Sequence, residues 1–275
     1  MRPFAPLLAP LVACLPLAAA VSPARAQPVT ESFGALLILP DGATRHLPVL
    51  LTNPGALGSA RTPRPAVVIV PDEAGIDERS GRLADAVGEA GWIAVETDPE
   101  AVSLDGSSAP SPRHPRRLAE WLRALLDVLA HDPRVDPSRI AVVGFGSGGR
   151  SALHAAAAAV APDAAVAGAP AAAALYPGCA ALAAEGAAPP ASPALVLLPG
   201  AEEPETACAD LGGDRLLVER LEGATYAWDL PAGAAIDGEM RRWSGGLSTP
   251  IRPDPVAAAA AEQALLHFLR GAFGN

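Results

Sequence analysis

The sequence predicts a single α/β domain with a mostly parallel, doubly wound sheet of about eight strands flanked by helices. Short continuous apolar runs such as Ala66–Val70 are typical of strands that are buried on both faces of a parallel sheet. These runs alternate with helical patterns of about 10–20 residues, which is the βαβ arrangement. The chain has 275 residues and is 50% hydrophobic, which suffices for one large core.

The elements follow in order along the chain. The predicted strands are Ser32–Leu39, Val49–Leu51, Ala66–Val70, Trp92–Glu96, Ile140–Val143, Ala171–Leu175, Ala194–Leu198 and Leu216–Leu221. The predicted helices are Glu78–Ala90, Pro115–Ala130, Gly148–Val160, Glu205–Leu211 and Asp254–Phe273. The two long loops that remain, Asp98–His114 and Gly223–Pro253, are expected to carry function at the carboxyl edge of the sheet.

The N-terminal segment, residues 1–26, is predicted to be a signal peptide, and residues 27–275 the mature domain. Arg2 precedes an apolar stretch, and Ala24-Arg25-Ala26 is a small-residue cleavage site. The protein is therefore expected to be periplasmic or secreted, with no membrane span. An alternative is a lipoprotein processed at Cys14, which lies in a lipobox-like context.

The charge and the cysteine count exclude several classes of function. Thirty acidic and 20 basic residues argue against nucleic acid as a partner, and every basic residue is Arg, which excludes lysine chemistry. After signal removal the two cysteines left, Cys179 and Cys208, are predicted to form a disulfide in an oxidising compartment; two buried thiols are the alternative. Two cysteines without a nearby histidine do not predict a zinc site, and no cofactor is expected.

A glycine-rich turn, residues 144–149, follows the strand Ile140–Val143 and has two interpretations. As G-x-G-x-x-G it matches a dinucleotide-binding turn, but the turn lies in the middle of the chain. Such a site also needs an acid at the end of the next strand, about 20 residues on, whereas Asp163 precedes that strand. The other interpretation is the strained turn that presents a catalytic nucleophile in hydrolases. The second interpretation is favoured.

Several motifs agree with the second interpretation. They are the run from Asp132 to Ile140, Asp77-Glu78-Arg79-Ser80, Tyr176-Pro177-Gly178-Cys179 and Gly223-Ala224-Thr225-Tyr226. With them the chain resembles the dienelactone hydrolase branch of the α/β-hydrolases over roughly residues 62–272. The resemblance implies an α/β-hydrolase fold and ester or lactone hydrolysis by a catalytic triad.

The resemblance also implies where the triad lies, and the residues there are altered. Small residues flank a nucleophile two positions before and after, so Gly144 and Gly148 place Gly146 at the nucleophile position. Ser147 is the alternative nucleophile. Glu203 takes the place of the acid and Tyr226 that of the histidine, and none of the five histidines lies between Glu203 and the last helix.

Further residues are expected around this site. Pro71 and Asp72 replace the usual donor turn of an oxyanion hole, and Trp228 is expected to line a pocket together with Trp243. Carboxylates from two loops are expected near one another at the sheet edge, as a cation site or as solvated acids: Asp72, Glu73, Glu202, Glu203 and Glu205.

The sequence therefore predicts an exported, noncatalytic α/β-hydrolase-fold protein. It is expected to bind a small molecule in the altered active-site pocket or to act as a scaffold. One alternative is an active ester or lactone hydrolase that uses Ser147. The other is a cation-dependent or unrelated function.

Overall fold

The computed structural model describes residues 28–55, 62–99, 114–157, 170–200, 208, 211, 214–231, 240–244 and 247–274. The predicted signal peptide with Cys14, the acidic residues Glu202, Glu203 and Glu205, and most of the predicted helix Glu205–Leu211 lie outside these ranges. Within them, no helix is both long and apolar enough to cross a membrane.

An eight-stranded sheet forms the centre of the molecule and confirms the predicted fold class. Its strands are β1 (Val29–Ile38), β2 (Thr44–Asn53), β3 (Arg64–Val70), β4 (Ile93–Thr97), β5 (Val135–Phe145), β6 (Ala171–Leu175), β7 (Ala194–Pro199) and β8 (Leu216–Leu221). The spatial order is β1-β2-β4-β3-β5-β6-β7-β8. Strands β3 to β8 are parallel to one another, whereas β1 pairs with β2, and β2 with β4, in antiparallel fashion.

Helices cover both faces of the sheet and divide the core into two layers. The helices are α1 (Glu78–Glu89), α2 (Pro115–Ala130), α3 (Gly146–Ala157), α4 (Cys179–Ala184) and α5 (Pro255–Phe273). Apolar residues of α2, α3 and α4 pack on one face, and those of α1 and α5 pack on the other. The central strands β3, β6 and β7 and residues 140–145 of β5 are buried on both faces, which explains their apolar sequences, whereas the edge strand β8 is partly exposed.

Local sequence signals account for the helix ends. Asp77 and Ser80 form a capping box at the start of α1. The Asp77 carboxylate accepts a hydrogen bond from the backbone N–H of Ser80, and the Ser80 hydroxyl accepts one from the backbone N–H of Asp77. Asp254 caps α5 through the backbone N–H groups of Val256 and Ala257, and Gly274 ends that helix in the left-handed conformation.

Several elements differ from the sequence prediction, among them β5, which begins at Val135 rather than at the predicted Ile140. Strand β2 is longer than the predicted Val49–Leu51, because it pairs with β1 over its whole length, from Thr44 to Asn53. Helix α4 was not predicted. A hairpin of β9 (Met240–Ser244) and β10 (Leu247–Ile251) lies within the predicted loop Gly223–Pro253.

The predicted disulfide between Cys179 and Cys208 is confirmed, with a Cα–Cα distance of 5.0 Å. Cys179 begins α4 directly after β6, and Cys208 follows β7, the neighbouring strand. Because adjacent parallel strands end at the same edge of the sheet, the two loops meet there. The bridge joins them on the α3 side of the sheet.

Candidate functional site

The turn between β5 and α3 lies at the carboxyl edge of the sheet, where the sequence predicts the functional site. Strand β5 ends at Phe145 and α3 begins at the next residue, Gly146, whose φ of +50° is in the left-handed region. Gly148 packs directly against the backbone carbonyls of Val70 and Pro71, so a side chain there would overlap the end of β3. The turn is therefore sharp and crowded, which explains its small residues.

The phenol of Tyr226 lies directly over this turn. A Cβ atom built on Gly146 would be 2.5 Å from Tyr226 Oη and 3.1 Å from Asp72 Cβ. Tyr226 is 7% exposed, and its hydroxyl donates a hydrogen bond to Asp72 Oδ2 at 3.3 Å. The hydroxyl thus fills the space into which a side chain at residue 146 would project.

A buried arginine connects the loop after β3 to this turn. Arg79 of α1 makes two hydrogen bonds of 2.9 Å to the two carboxylate oxygens of Asp72. Its guanidinium also pairs with Asp77 at 2.7 Å and lies 5.6 Å from the centre of the Phe145 ring. Burial raises the pKa of the Asp72 carboxyl, but the hydrogen bonds and charge of Arg79 outweigh burial and hold that pKa below its usual value.

Tyr176 extends the network toward the last strand. Its buried hydroxyl donates to Asp229 Oδ1 at 2.7 Å and accepts from Arg79 Nη1 at 3.2 Å. The ring packs edge-on against Tyr226 at 4.7 Å and against Trp228 at 4.8 Å, measured between ring centres. Tyr176 itself has a φ of +42°, which is unusual for a residue with a side chain and marks the end of β6 as constrained.

Trp228, which the sequence predicts to line a pocket, is not in the lining of the cavity between α1 and α5. Trp228 is fully buried, because it packs beneath Tyr176 in the core between the sheet and α5. It supports the ring of Tyr176 from within the core. Side-chain positions are not described for Trp243.

Of the five acids that the sequence predicts to lie near one another, only Asp72 and Glu73 fall in the described part of the chain. Asp72 is paired with Arg79, whereas Glu73 next to it is exposed. Glu203 lies outside the described residues with Glu202 and Glu205. Within the described ranges, no group of three or more His, Cys, Asp or Glu side chains is arranged to hold a metal ion.

Ser147, the alternative nucleophile, lies in the first turn of α3 and is half-buried. All five histidines fall within the described ranges, and none of them makes a hydrogen bond to Ser147 or Tyr226 there. His154 instead bonds Glu185 through Nε2 at 3.0 Å, and His131 bonds the carbonyl of Asp127 in its own helix. His267, which the pattern of α5 predicts to pack, is exposed because it faces away from the sheet.

Sequence reasoning missed three members of this network, Arg79, Tyr176 and Asp229. Arg79 and Tyr176 stand in motifs that carry the family resemblance: Tyr176 directly follows β6, and Arg79 lies in the first turn of α1, the helix after β3. A polar or aromatic residue just beyond a buried parallel strand is a usable signal, because such positions share one edge of the sheet. Their partners could not be deduced, since Arg79 and Tyr176 are 97 residues apart.

A sequence profile of the dienelactone hydrolase family matches residues 54–198, which is just over half of the chain. The chain belongs to the dienelactone hydrolase family. No curated protein sequence matches it significantly. The family's fold is confirmed by solved structures, each of which this chain matches at low sequence identity.

One such structure is a dienelactone hydrolase-like promiscuous phosphotriesterase from metagenomic libraries, 19% identical, with a TM-score of 0.59, covering 90% of this chain and 99% of that one. A second is a dienelactone hydrolase from Anabaena variabilis, 19% identical, with a TM-score of 0.57, covering 88% and 99%. A third is a ferulic acid esterase from Streptomyces cinnamoneus, 19% identical, with a TM-score of 0.58, covering 92% of each chain. At this identity the likeness concerns the fold.

Proposed function

We propose that this dienelactone hydrolase family member is exported and noncatalytic. Instead of hydrolysing an ester, it binds a small molecule or acts as a scaffold. The observation that carries the proposal is the Tyr226 hydroxyl, which lies 2.5 Å from the position of a Cβ atom at Gly146. In our assignment Gly146 stands where the nucleophile of the family belongs and Tyr226 where its histidine belongs. Glycine has no attacking atom, and the phenol occupies the space of one.

The histidines support the same conclusion. A serine hydroxyl becomes a nucleophile when a positioned base accepts its proton. Ser147 has no hydrogen bond to a histidine among the described residues, and the buried imidazole of His154 is already bonded to Glu185. Glu203, which we assign to the position of the triad acid, would have no imidazole to orient.

The charge at the turn also opposes ester hydrolysis. The buried carboxylate of Asp72 lies beside Gly146, with its Cβ 3.1 Å from the position of a Cβ atom there. Acyl transfer requires donors aimed at a developing oxyanion, and loss of one such donor costs about 2.7–4 kcal/mol of transition-state stabilisation. A fixed carboxylate at this place would repel that oxyanion.

Export is part of the proposal and depends on residues 1–26. The small-residue site Ala24-Arg25-Ala26 would release a mature chain that begins at Gln27. The disulfide between Cys179 and Cys208 supports an oxidising compartment, because such bonds are rarely retained in the reducing cytosol.

The test is hydrolysis of p-nitrophenyl acetate by the purified mature chain and by Ser147→Ala. We expect the two proteins to give the same rate, close to the buffer background. Hydrolysis by the wild type that Ser147→Ala abolishes would overturn the proposal and make the protein an active esterase.

A rebuilding experiment tests the assignment of positions. Gly146→Ser combined with Tyr226→His removes the overlapping phenol and supplies a hydroxyl and an imidazole at the two positions. We expect weak esterase activity in the double variant and none in either single variant. Equal activity in a single variant would contradict the assignment.

A further inference from the structure

A cavity of about 220 Å³ lies between α1, α5 and the ends of β5 and β6. Among the described residues, Gly146 and Tyr226 are not part of its lining, whereas Phe145, the residue before Gly146, is. Its wall is mostly apolar and is formed by Leu83, Phe145, Leu175, Ala258, Ala261 and Leu265. Cavities that hold drug-sized ligands measure roughly 300–1,000 Å³, so this one suits a smaller molecule of about ten non-hydrogen atoms.

Asp229, which is 8% exposed, is part of the wall of the cavity. Its Oδ1 accepts the hydrogen bond from Tyr176 at 2.7 Å. The backbone N–H of Asp229 also bonds this carboxylate, and among the described residues no other residue donates to its Oδ2. A largely buried carboxylate is costly unless its oxygens are bonded, so this part of the cavity wall favours a donor.

The charges around the cavity favour a cation over a neutral donor. The buried guanidinium of Arg79 is already shared by the carboxylates of Asp72 and Asp77. Arg82 lies at the mouth and donates to the backbone carbonyl of Asp229, and Glu262 lies at the mouth as well. The lining itself carries two carboxylates, Asp229 and Glu262, and two guanidinium groups, Arg79 and Arg82. Because Arg79 is also paired with Asp72 and Asp77, which lie behind the lining, the group as a whole has an excess of two negative charges.

We propose that this cavity binds a small primary amine with an aromatic or branched apolar body. The ammonium donates to Asp229 Oδ2, and the body packs against Phe145, Leu175 and Leu265. Burial raises the pKa of the Asp229 carboxyl, outweighing the hydrogen bond from Tyr176 and the charge of Arg79. A bound ammonium offsets that cost of burial. This inference does not depend on whether the turn at Gly146 is catalytic.

The test uses three probes of similar size and different charge, titrated into the mature chain by calorimetry. They are 2-phenylethylamine, the neutral 2-phenylethanol and the anionic phenylacetate. We expect saturable binding of the amine, at least tenfold weaker binding of the alcohol and none of the anion. Absence of amine binding up to its solubility limit, or equal affinity for amine and alcohol, overturns the proposal.

Variants locate the bound amine. Asp229→Asn keeps an acceptor for Tyr176 and is expected to weaken the amine at least tenfold while leaving the alcohol unchanged. Ala258→Leu fills the cavity and is expected to abolish binding of both probes. Ala260→Leu, on an exposed position of the same helix outside the lining, is the matched control and should bind as the wild type does.

The two leucine variants also keep the proposal testable if Asp229→Asn does not fold. Equal amine affinity in Ala258→Leu and Ala260→Leu overturns it, as does unchanged amine affinity in a folded Asp229→Asn. The titration requires no turnover, so a failure here leaves the esterase assays unaffected, and an active esterase would leave the titration unaffected.

Discussion

Replacement of Gly146 by alanine tests whether Tyr226 fills the space at the turn between β5 and α3. The new Cβ would lie 2.5 Å from Tyr226 Oη and 3.1 Å from Asp72 Cβ, both too close for ordinary contact. It would also hold a residue with a side chain at a φ of +50°. Gly146→Ala should therefore destabilise the fold for two separable reasons.

The magnitude follows from those two causes. A left-handed conformation costs an alanine about 1–2 kcal/mol relative to glycine, and overpacking of a crowded site typically costs about 1–3 kcal/mol. The free energy of unfolding should thus fall by about 2–5 kcal/mol. Tyr226→Phe removes the overlapping oxygen and leaves the ring carbon Cζ at 3.6 Å, an ordinary contact distance. In the Gly146→Ala background it should restore about 1–3 kcal/mol.

The assay is urea unfolding of the two single variants and the double variant, analysed as a double-mutant cycle. Tyr226→Phe alone should cost about 0.5–1.5 kcal/mol, because the hydrogen bond to Asp72 is lost. The control is Gly42→Ala, since Gly42 also has a positive φ, +79°, but no atom within 4 Å of an added Cβ. Its effect should add to that of Tyr226→Phe.

One result would refute this reasoning. Independent sites usually add within about 0.3–0.5 kcal/mol. If Gly146→Ala and Tyr226→Phe add as closely as that, the phenol does not occupy the space above Gly146. The steric part of the proposed function would then be lost.

The remaining predictions concern the disulfide, the buried ion pair and the N-terminus. Replacing Cys179 and Cys208 by serine should lower the free energy of unfolding by about 3–4 kcal/mol in urea, and a change below about 1 kcal/mol would contradict the bridge. Because Arg79 holds the pKa of Asp72 below its usual value, this carboxylate stabilises the fold above its unfolded pKa of about 4, and the stabilisation is lost as the pH falls through the folded pKa. Asp72→Asn should cost about 3–5 kcal/mol at pH 7 and flatten the acid limb of a thermal unfolding profile, whereas an unchanged slope would argue against the pair. Mass spectrometry of the exported protein should find Gln27 at the N-terminus, and a lipid on Cys14 would refute that cleavage.

The central strands and the disulfide could be predicted because their determinants are local in the sequence. The bounds of β6 and β8 and of helix α2 agree with the sequence prediction. Strand β6 is buried and apolar throughout, β8 begins with the apolar run Leu216–Val218, and α2 keeps an amphipathic period, so each leaves a pattern within a few residues. Neighbouring strand ends likewise bring Cys179 and Cys208 together once the strand order is assumed.

The partners around the turn were decided only by the tertiary structure. Tyr226 and Asp72 are 154 residues apart, and Tyr176 and Asp229 are 53 apart, so no local pattern pairs them. The extension of β2 depends on pairing with β1, and the burial of Trp228 depends on the ring of Tyr176 above it. The sequence by itself determines which residue types stand at the turn. Which hydroxyl, guanidinium or carboxylate each of them contacts depends on how strands and helices pack, because a buried polar group must find its partner among whatever the fold places beside it.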